Sequence, residues 1–193
     1  MRQYLSCAET AKLVRAALKE SFPGVKFAVR SSVYSGGASI NIRYTDGPTY
    51  EQVKAVAGMF EGSYFDGMTD YKGSNYGALD GQEVRFGADF IFVNRDFSVE
   101  ILTKAATDVC KNYGFKNEIL IDTNECFGAY IKAIGPNADS ESRGYMPSQV
   151  ERIIRENVSQ YSMDDTAPSK TLQRVGFLGD DGYGYGAVGR LAA

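Results

Sequence analysis

An α+β fold, mainly antiparallel in its sheet and with helices packed on one face, is what the sequence predicts. Two observations carry that expectation. Segments with apolar residues at helical spacing interrupt segments with strict two-residue alternation, in the order α-β-β-α-β-(β)-α, before a C-terminal helix and a Gly/Tyr-rich tail. In addition, no run of parallel βαβ units and no internal repeat is present.

The first helix opens at a capping box, Ser6 with Glu9, in which each side chain satisfies a free backbone N–H of the first turn. Ala8, Ala11, Val14, Ala17 and Leu18 recur at helical spacing, with Lys12, Arg15 and Lys19 on the wet face. Pro23-Gly24 ends it near Ser21. A hairpin follows. Val25, Phe27 and Val29 pair with Ile40, Ile42 and Tyr44 on one sheet face, Ser35-Gly36-Gly37 makes the turn, and Lys26, Arg30 and Arg43 fall on the opposite face.

Thr45-Asp46-Gly47-Pro48 is a turn, and Thr49 caps a second helix that buries Val53, Val56, Ala57 and Phe60 until Gly62. The segment 63–81 reads as a polar, Gly- and Tyr-rich loop with a short strand at Ser63 to Phe65. Val84, Phe86, Ala88, Phe90 and Phe92 alternate through one long strand. A third helix from Ser98 buries Leu102, Ala105, Ala106, Val109 and Tyr113 and stops at Gly114. Glu118 to Asp122 and Ala129 to Ile134 suggest a second hairpin. A capping box at Ser148 and Glu151 starts a helix with Val150, Ile153, Ile154, Val158 and Tyr161 on its apolar side. The expected organisation is one domain over residues 1–162 and an extended tail over 163–193.

Apolar residues make up 44% and charged residues 23% of the 193-residue chain, enough of the first to build a core. The net charge of −3 is mild, but it is unevenly spread. Residues 1–45 carry seven Lys or Arg against two Asp or Glu, whereas residues 46–100 carry four against ten. Such a bipolar distribution can steer a charged partner onto one face.

Histidine is absent, which removes Ser-His-Asp and Cys-His catalysis and His-ligated zinc in their usual forms. Cys7, Cys110 and Cys126 are too few and too widely spaced for a disulfide framework or a Cys-only zinc site, and they read as small core residues. With no signal-peptide or membrane-spanning run, a reducing cytoplasm is the expected compartment. Neither a cofactor nor a catalytic constellation is expected.

Three constellations remain. Gly184-Tyr185-Gly186-Ala187-Val188-Gly189 matches G-x-G-x-x-G, but the sequence holds neither the helix nor the acidic residue that a dinucleotide site needs after it. Asp66, Asp70, Asp80, Glu83 and Asp89 form an acid-rich stretch. Its bland reading is a solvated loop, and its sharper readings are a carboxylate metal site or a surface that occupies a basic channel on a partner. Asp80 and Glu83 resemble a nuclease pattern in which Arg85 stands where a Lys would orient water. Lys26, Arg30 and Arg43, with Tyr34 and Tyr44 nearby, form a basic, aromatic-bearing sheet face of the kind that holds nucleic acid.

The stretches YLSCAETAKLVRAALKESFPGVKFAVRSSVYSGGASINIRYTDGPT, FEGSYFDGMTDYK and VRFGADFIFVNRDFS together resemble the large polyvalent protein-associated domain of the twenty-ninth type, from Tyr4 to about Ser98. The resemblance implies a setting on plasmids, phages and integrated elements and transfers no catalytic residues. Small stand-alone proteins of such elements are often inhibitors of host defence, anti-CRISPR proteins among them. The leading expectation is therefore a non-enzymatic inhibitor of a host protein or ribonucleoprotein defence complex. It would act through an acidic surface at Asp66, Asp70, Asp80 and Glu83. The alternative is a nucleic-acid-binding accessory domain for element transfer or replication, using Lys26, Arg30 and Arg43. Dimerisation through an exposed strand stays open.

Overall fold

A computed structural model describes residues 3–124, 128–134 and 149–183 of the chain. The order is β1 (Gln3–Leu5), α1 (Cys7–Ser21), β2 (Ala28–Tyr34), β3 (Gly37–Thr45), α2 (Tyr50–Gly58), β4 (Ser63–Asp66), β5 (Tyr71–Leu79), β6 (Gln82–Phe86), β7 (Phe90–Asp96), α3 (Val99–Tyr113), β8 (Glu118–Asn124), β9 (Gly128–Ile134), α4 (Gln149–Ser159), α5 (Lys170–Gln173) and β10 (Val175–Asp180). The fold is α+β. Its strands divide among three sheets, one mixed sheet ordered β1-β6-β5-β10 with β4 also on β5, a second ordered β2-β3-β7, and the β8-β9 hairpin.

The chain forms two compact units. The first comprises residues 1–44, 50–94 and 165–193, and the second residues 45–49 and 95–164. Where the sequence predicts one domain to residue 162 and an extended tail beyond, residues 170–180 instead supply a helix and a strand to the first unit. Short, Gly-interrupted β10 has no alternation to reveal it, and it bulges between Phe177 and Gly179 as it pairs with β5.

In the first unit, α1 starts as its sequence dictates. The Ser6 N–H donates to Glu9 Oε2 at 2.8 Å and the Glu9 N–H donates to Ser6 Oγ at 3.3 Å. Its apolar stripe of Ala11, Val14, Ala17 and Leu18 is buried against Ile40, Ile42, Val53 and Phe60 in one continuous core. The Cys7 thiol is buried there and donates to Ser39 O, and burial pushes its pKa up, so it is a packing residue. Helix α5 is held through Glu20 of α1, whose carboxylate accepts from Ser169 Oγ at 2.7 Å and the Thr171 N–H at 2.8 Å.

Two sequence expectations need correction here. The loop expected over 63–81 is a pair of antiparallel hairpins with β5 at their centre, in register Ser63↔Ser74 and Gly77↔Val84. Gly67 and Gly81 do lie in the turns, but Gly73 and Gly77 are space for rings. A Cβ at Gly73 would fall within the Tyr64 ring, and one at Gly77 would stand 2.6 Å from Phe86. The long strand expected from Val84 to Phe92 is broken at Gly87, where the chain leaves the first sheet and enters the second. Gly87 lies so close to the backbone of Leu5, Ser6 and Cys7 that no side chain fits. Beyond this break the phase shifts by one. Ile91 is buried at 2% exposure, whereas Phe92 is 51% exposed.

In the second unit, α3 is capped by Ser98 and closed by Gly114 at φ 69°, as its sequence predicts. Leu102, Ala105, Ala106 and Val109 pack with Ile131, Ala133, Val150, Ile154 and Val158 in a separate core. Tyr113, expected inside, is 61% exposed because it lies at the helix end stacked on Phe115. Arg95 holds the unit's entry by donating to four carbonyls, Asp46 O, Gly47 O, Ser159 O and Tyr161 O, at 2.6–3.1 Å. The expected cap Ser148, the thiol Cys126 and the G-x-G-x-x-G stretch lie outside the described residues.

Candidate nucleic-acid interface

The β2-β3-β7 sheet brings together the side chains with the most binding chemistry. Strands β2 and β3 are antiparallel, with Arg30 opposite Asn41 and Ala28 opposite Arg43. Strand β7 runs in the same sense as β3, since the Asp89 N–H donates to Ala38 O at one end and the Asp46 N–H to Asp96 O at the other, each at 2.8 Å. The inner face carries Val29, Ile40, Ile42, Tyr44 and Ile91 into the core. Alternation then puts Arg30, Asn41, Arg43, Phe90, Phe92 and Asn94 on the outer face.

On that face the Arg30–Asn41 and Ala28–Arg43 pairs of β2 and β3 lie beside Phe92 and Asn94 of β7, with neighbouring strands about 4.8 Å apart. Arg30, Asn41, Arg43, Phe92 and Asn94 are all exposed. The expected Arg30 and Arg43 do share one face. Lys26 is exposed but lies before β2, which begins at Ala28 and not at Val25.

The edge of β7 away from β3 is closed at Ile91. Its N–H donates to Glu61 Oε1 at 2.8 Å, and its carbonyl accepts from Lys54 Nζ at 3.1 Å. Lys54 and Glu61 are themselves paired at 2.6 Å. Beside this pair opens a groove of about 460 Å³ bordered by Tyr50, Lys54, Phe65, Phe90, Phe92 and Asn94. Lys72 stands 5.7 Å from the centre of the Phe90 ring and pairs with Asp89 at 2.8 Å.

Asp89 also accepts from the Ala38 N–H at 3.0 Å and Ser63 Oγ at 2.9 Å. Burial opposes its charge, but the Lys72 ammonium and these two hydrogen bonds prevail and hold its carboxyl below the usual range. It is a structural tie between the two sheets of the first unit. No group of three or more Cys, Asp or Glu side chains suited to a metal ion occurs among the described residues.

The four expected acids do not converge. Asp66 and Asp70 lie at the β4–β5 turn, whereas Asp80 and Glu83 lie at the β5–β6 turn. Nine residues of β5 separate the turns, which at about 3.3 Å per residue puts them at opposite ends of the strand. Asp70 and Asp80 adopt positive φ, 52° and 53°, a conformation that Asp tolerates better than most residues. Arg174 grips Asp80 through two bonds of 2.7 and 2.8 Å and lowers its pKa.

Phe65, Phe90, Phe92, Asn94 and Lys54 were not among the expected site residues. The missed signal is Gly87. Once that glycine resets the alternation, Ile91 and Val93 become the inward residues and the two phenylalanines the outward ones.

Residues 5–98 match the family model of the large polyvalent protein associated domain 29. That stretch, 94 of the 193 residues, is similar to this family. The polyvalent-protein domain spans β1's end through β7 and includes the whole basic and aromatic face, and it marks the protein as associated with mobile elements. No curated protein matches the chain, and no solved structure does. No helix among the described residues is long and apolar enough to cross a membrane.

Proposed function

We propose that this mobile-element protein is a non-catalytic binding module that holds nucleic acid across the outer face of β2-β3-β7. The observation that carries this reading is the shared face of Arg30, Arg43 and Phe92. Two guanidinium groups suited to phosphates stand one strand or two from a half-exposed ring. The role fits an accessory function in element transfer or replication. The test is fluorescence anisotropy of a labelled oligonucleotide with the full chain at several salt concentrations. Binding should weaken steeply with salt, and Arg30→Glu with Arg43→Glu should abolish it. Undiminished binding by the double variant would sink the proposal.

A second reading, inhibition of a host defence complex, is supported by the β4–β5 turn. There Asp66 and Asp70 flank Met68, which is 88% exposed, an anchor ringed by charge. The smaller patch replaces the four-residue surface expected from sequence. Recovery of a defence complex from nuclease-treated host lysate, lost on Asp66→Lys with Asp70→Lys, would support it. Recovery unaffected by those changes would remove the turn from consideration.

A further inference from the structure

We infer that the nucleic acid bound here is single-stranded and that one unpaired base sits in the groove beside Phe65 and Phe92. This inference rests on the nucleic-acid reading of the same face. It follows from which surfaces the groove offers. Phe65 is 53% exposed, Phe92 51% and Tyr50 45%, and all three border one opening of about 460 Å³. That volume lies within the range of small-molecule pockets and admits a nucleoside. In a duplex the flat faces of the bases are stacked on one another, so a duplex presents to such rings only edges and phosphates. An unpaired base has both faces to give, and stacking on an aromatic side chain is tolerant of sequence.

The polar groups bordering the groove suit a base as well. Asn94 is exposed on the outer face and offers a donor and an acceptor side by side, the pattern a base edge complements. The Lys54 ammonium spends one N–H on Glu61 and one on Ile91 O, leaving a third at the groove. A strand whose base enters here can carry its phosphates across the sheet toward Arg43 on β3 and Arg30 on β2.

The chain contains no tryptophan, so a single introduced indole reports on its own surroundings. Phe65→Trp and Phe92→Trp keep an aromatic ring in place, and Tyr113→Trp in the second unit is the control. Labelled oligothymidylate and a duplex of equal length are the probes, followed by anisotropy for binding and by tryptophan emission for stacking. The expected result is quenching of both groove indoles by the single strand, little by the duplex, and none of the control. Phe65→Ala and Asn94→Ala should each weaken single-strand binding about tenfold while leaving its salt slope unchanged, whereas Arg30→Ala should reduce that slope by roughly 0.7. Anisotropy binding without quenching, or equal affinity for the duplex, overturns the seated base and leaves the sheet-face reading intact. Binding of neither probe overturns both and leaves the groove to a protein segment.

Discussion

Tyr64 on β4 and Asp181 after β10, 117 positions apart, meet in a hydrogen bond of 2.6 Å from the phenol to the carboxylate. The same carboxylate accepts from the Ser74 N–H at 2.7 Å and from Tyr71 Oη at 3.1 Å. One acid thereby fastens the end of the chain's last described strand across β4 and β5. Burial opposes the charge on Asp181, but these donors outweigh it and hold the carboxyl below its usual range. Residue 181 comes from a Gly- and Asp-rich stretch that reads as a loose tail, and its role appears only when three distant donors converge on it.

Replacing Asp181 by Ala should loosen β10 from β5. Three donors, Tyr64 Oη, Tyr71 Oη and the Ser74 N–H, lose their acceptor at a part-buried site, so the cost should be about 1–3 kcal/mol. Tyr64→Phe, which removes one bond at a buried ring, should cost about 1 kcal/mol. Amide exchange at Gly77 and Phe177 checks both, with faster exchange expected in Asp181→Ala. Unchanged exchange there would mean that backbone pairing alone holds the strand.

Asp89 should make the first unit sensitive to acid. Its folded pKa is lowered from a reference of 3.8, so its contribution is fully present above that reference and is lost as pH falls through the folded value. Urea unfolding of Asp89→Asn should show a loss of about 1–3 kcal/mol at pH 7. That difference should narrow below pH 4, where the wild-type carboxylate takes up its proton. A difference between the two proteins that stayed constant down to pH 2.5 would remove Asp89 from the acid response.

Gly87 should tolerate no side chain. A Cβ there would stand 2.8 Å from both Cys7 N and Ser6 C and closer still to Leu5 O, all backbone atoms that cannot swing aside. Its N–H also donates to Thr10 Oγ1 at 3.1 Å. Gly87→Ala should cost about 3 kcal/mol. Gly81→Ala, in open space but at φ 76°, should cost about 1 kcal/mol. Thermal melts followed by circular dichroism separate the two, and equal losses would argue against the close approach.

What could be read in advance follows the range of the physics. Helices α1 and α3 were legible because a cap, a 3.6-residue stripe and a stop such as Gly114 all lie within one segment. The outward placement of Arg30 and Arg43 was legible for the same reason, through alternation inside a single hairpin. Strand β5 was not, because Gly73 and Gly77 are small to admit the Tyr64 and Phe86 rings from neighbouring strands. A glycine that makes room and a glycine that makes a turn are the same letter. The acids were visible as a group, yet their division between two turns required the pairing of β4, β5 and β6.

The proposed interface depends on the shift of phase after Gly87, and that shift can be tested without any ligand. Ile91 is buried in the first core, so Ile91→Ala should cost about 2–5 kcal/mol. Phe92 is half-exposed and touches Phe90 at 6.4 Å between ring centres, so Phe92→Ser should cost less than about 1 kcal/mol. An unbroken strand from Val84 would demand the reverse order, since Phe92 would then share the inward side with Phe86. Chemical denaturation of the two variants therefore decides which face of β7 meets water. If Phe92→Ser proved the more damaging, the outer face would lose its aromatic ring, and the geometry behind nucleic-acid binding would go with it.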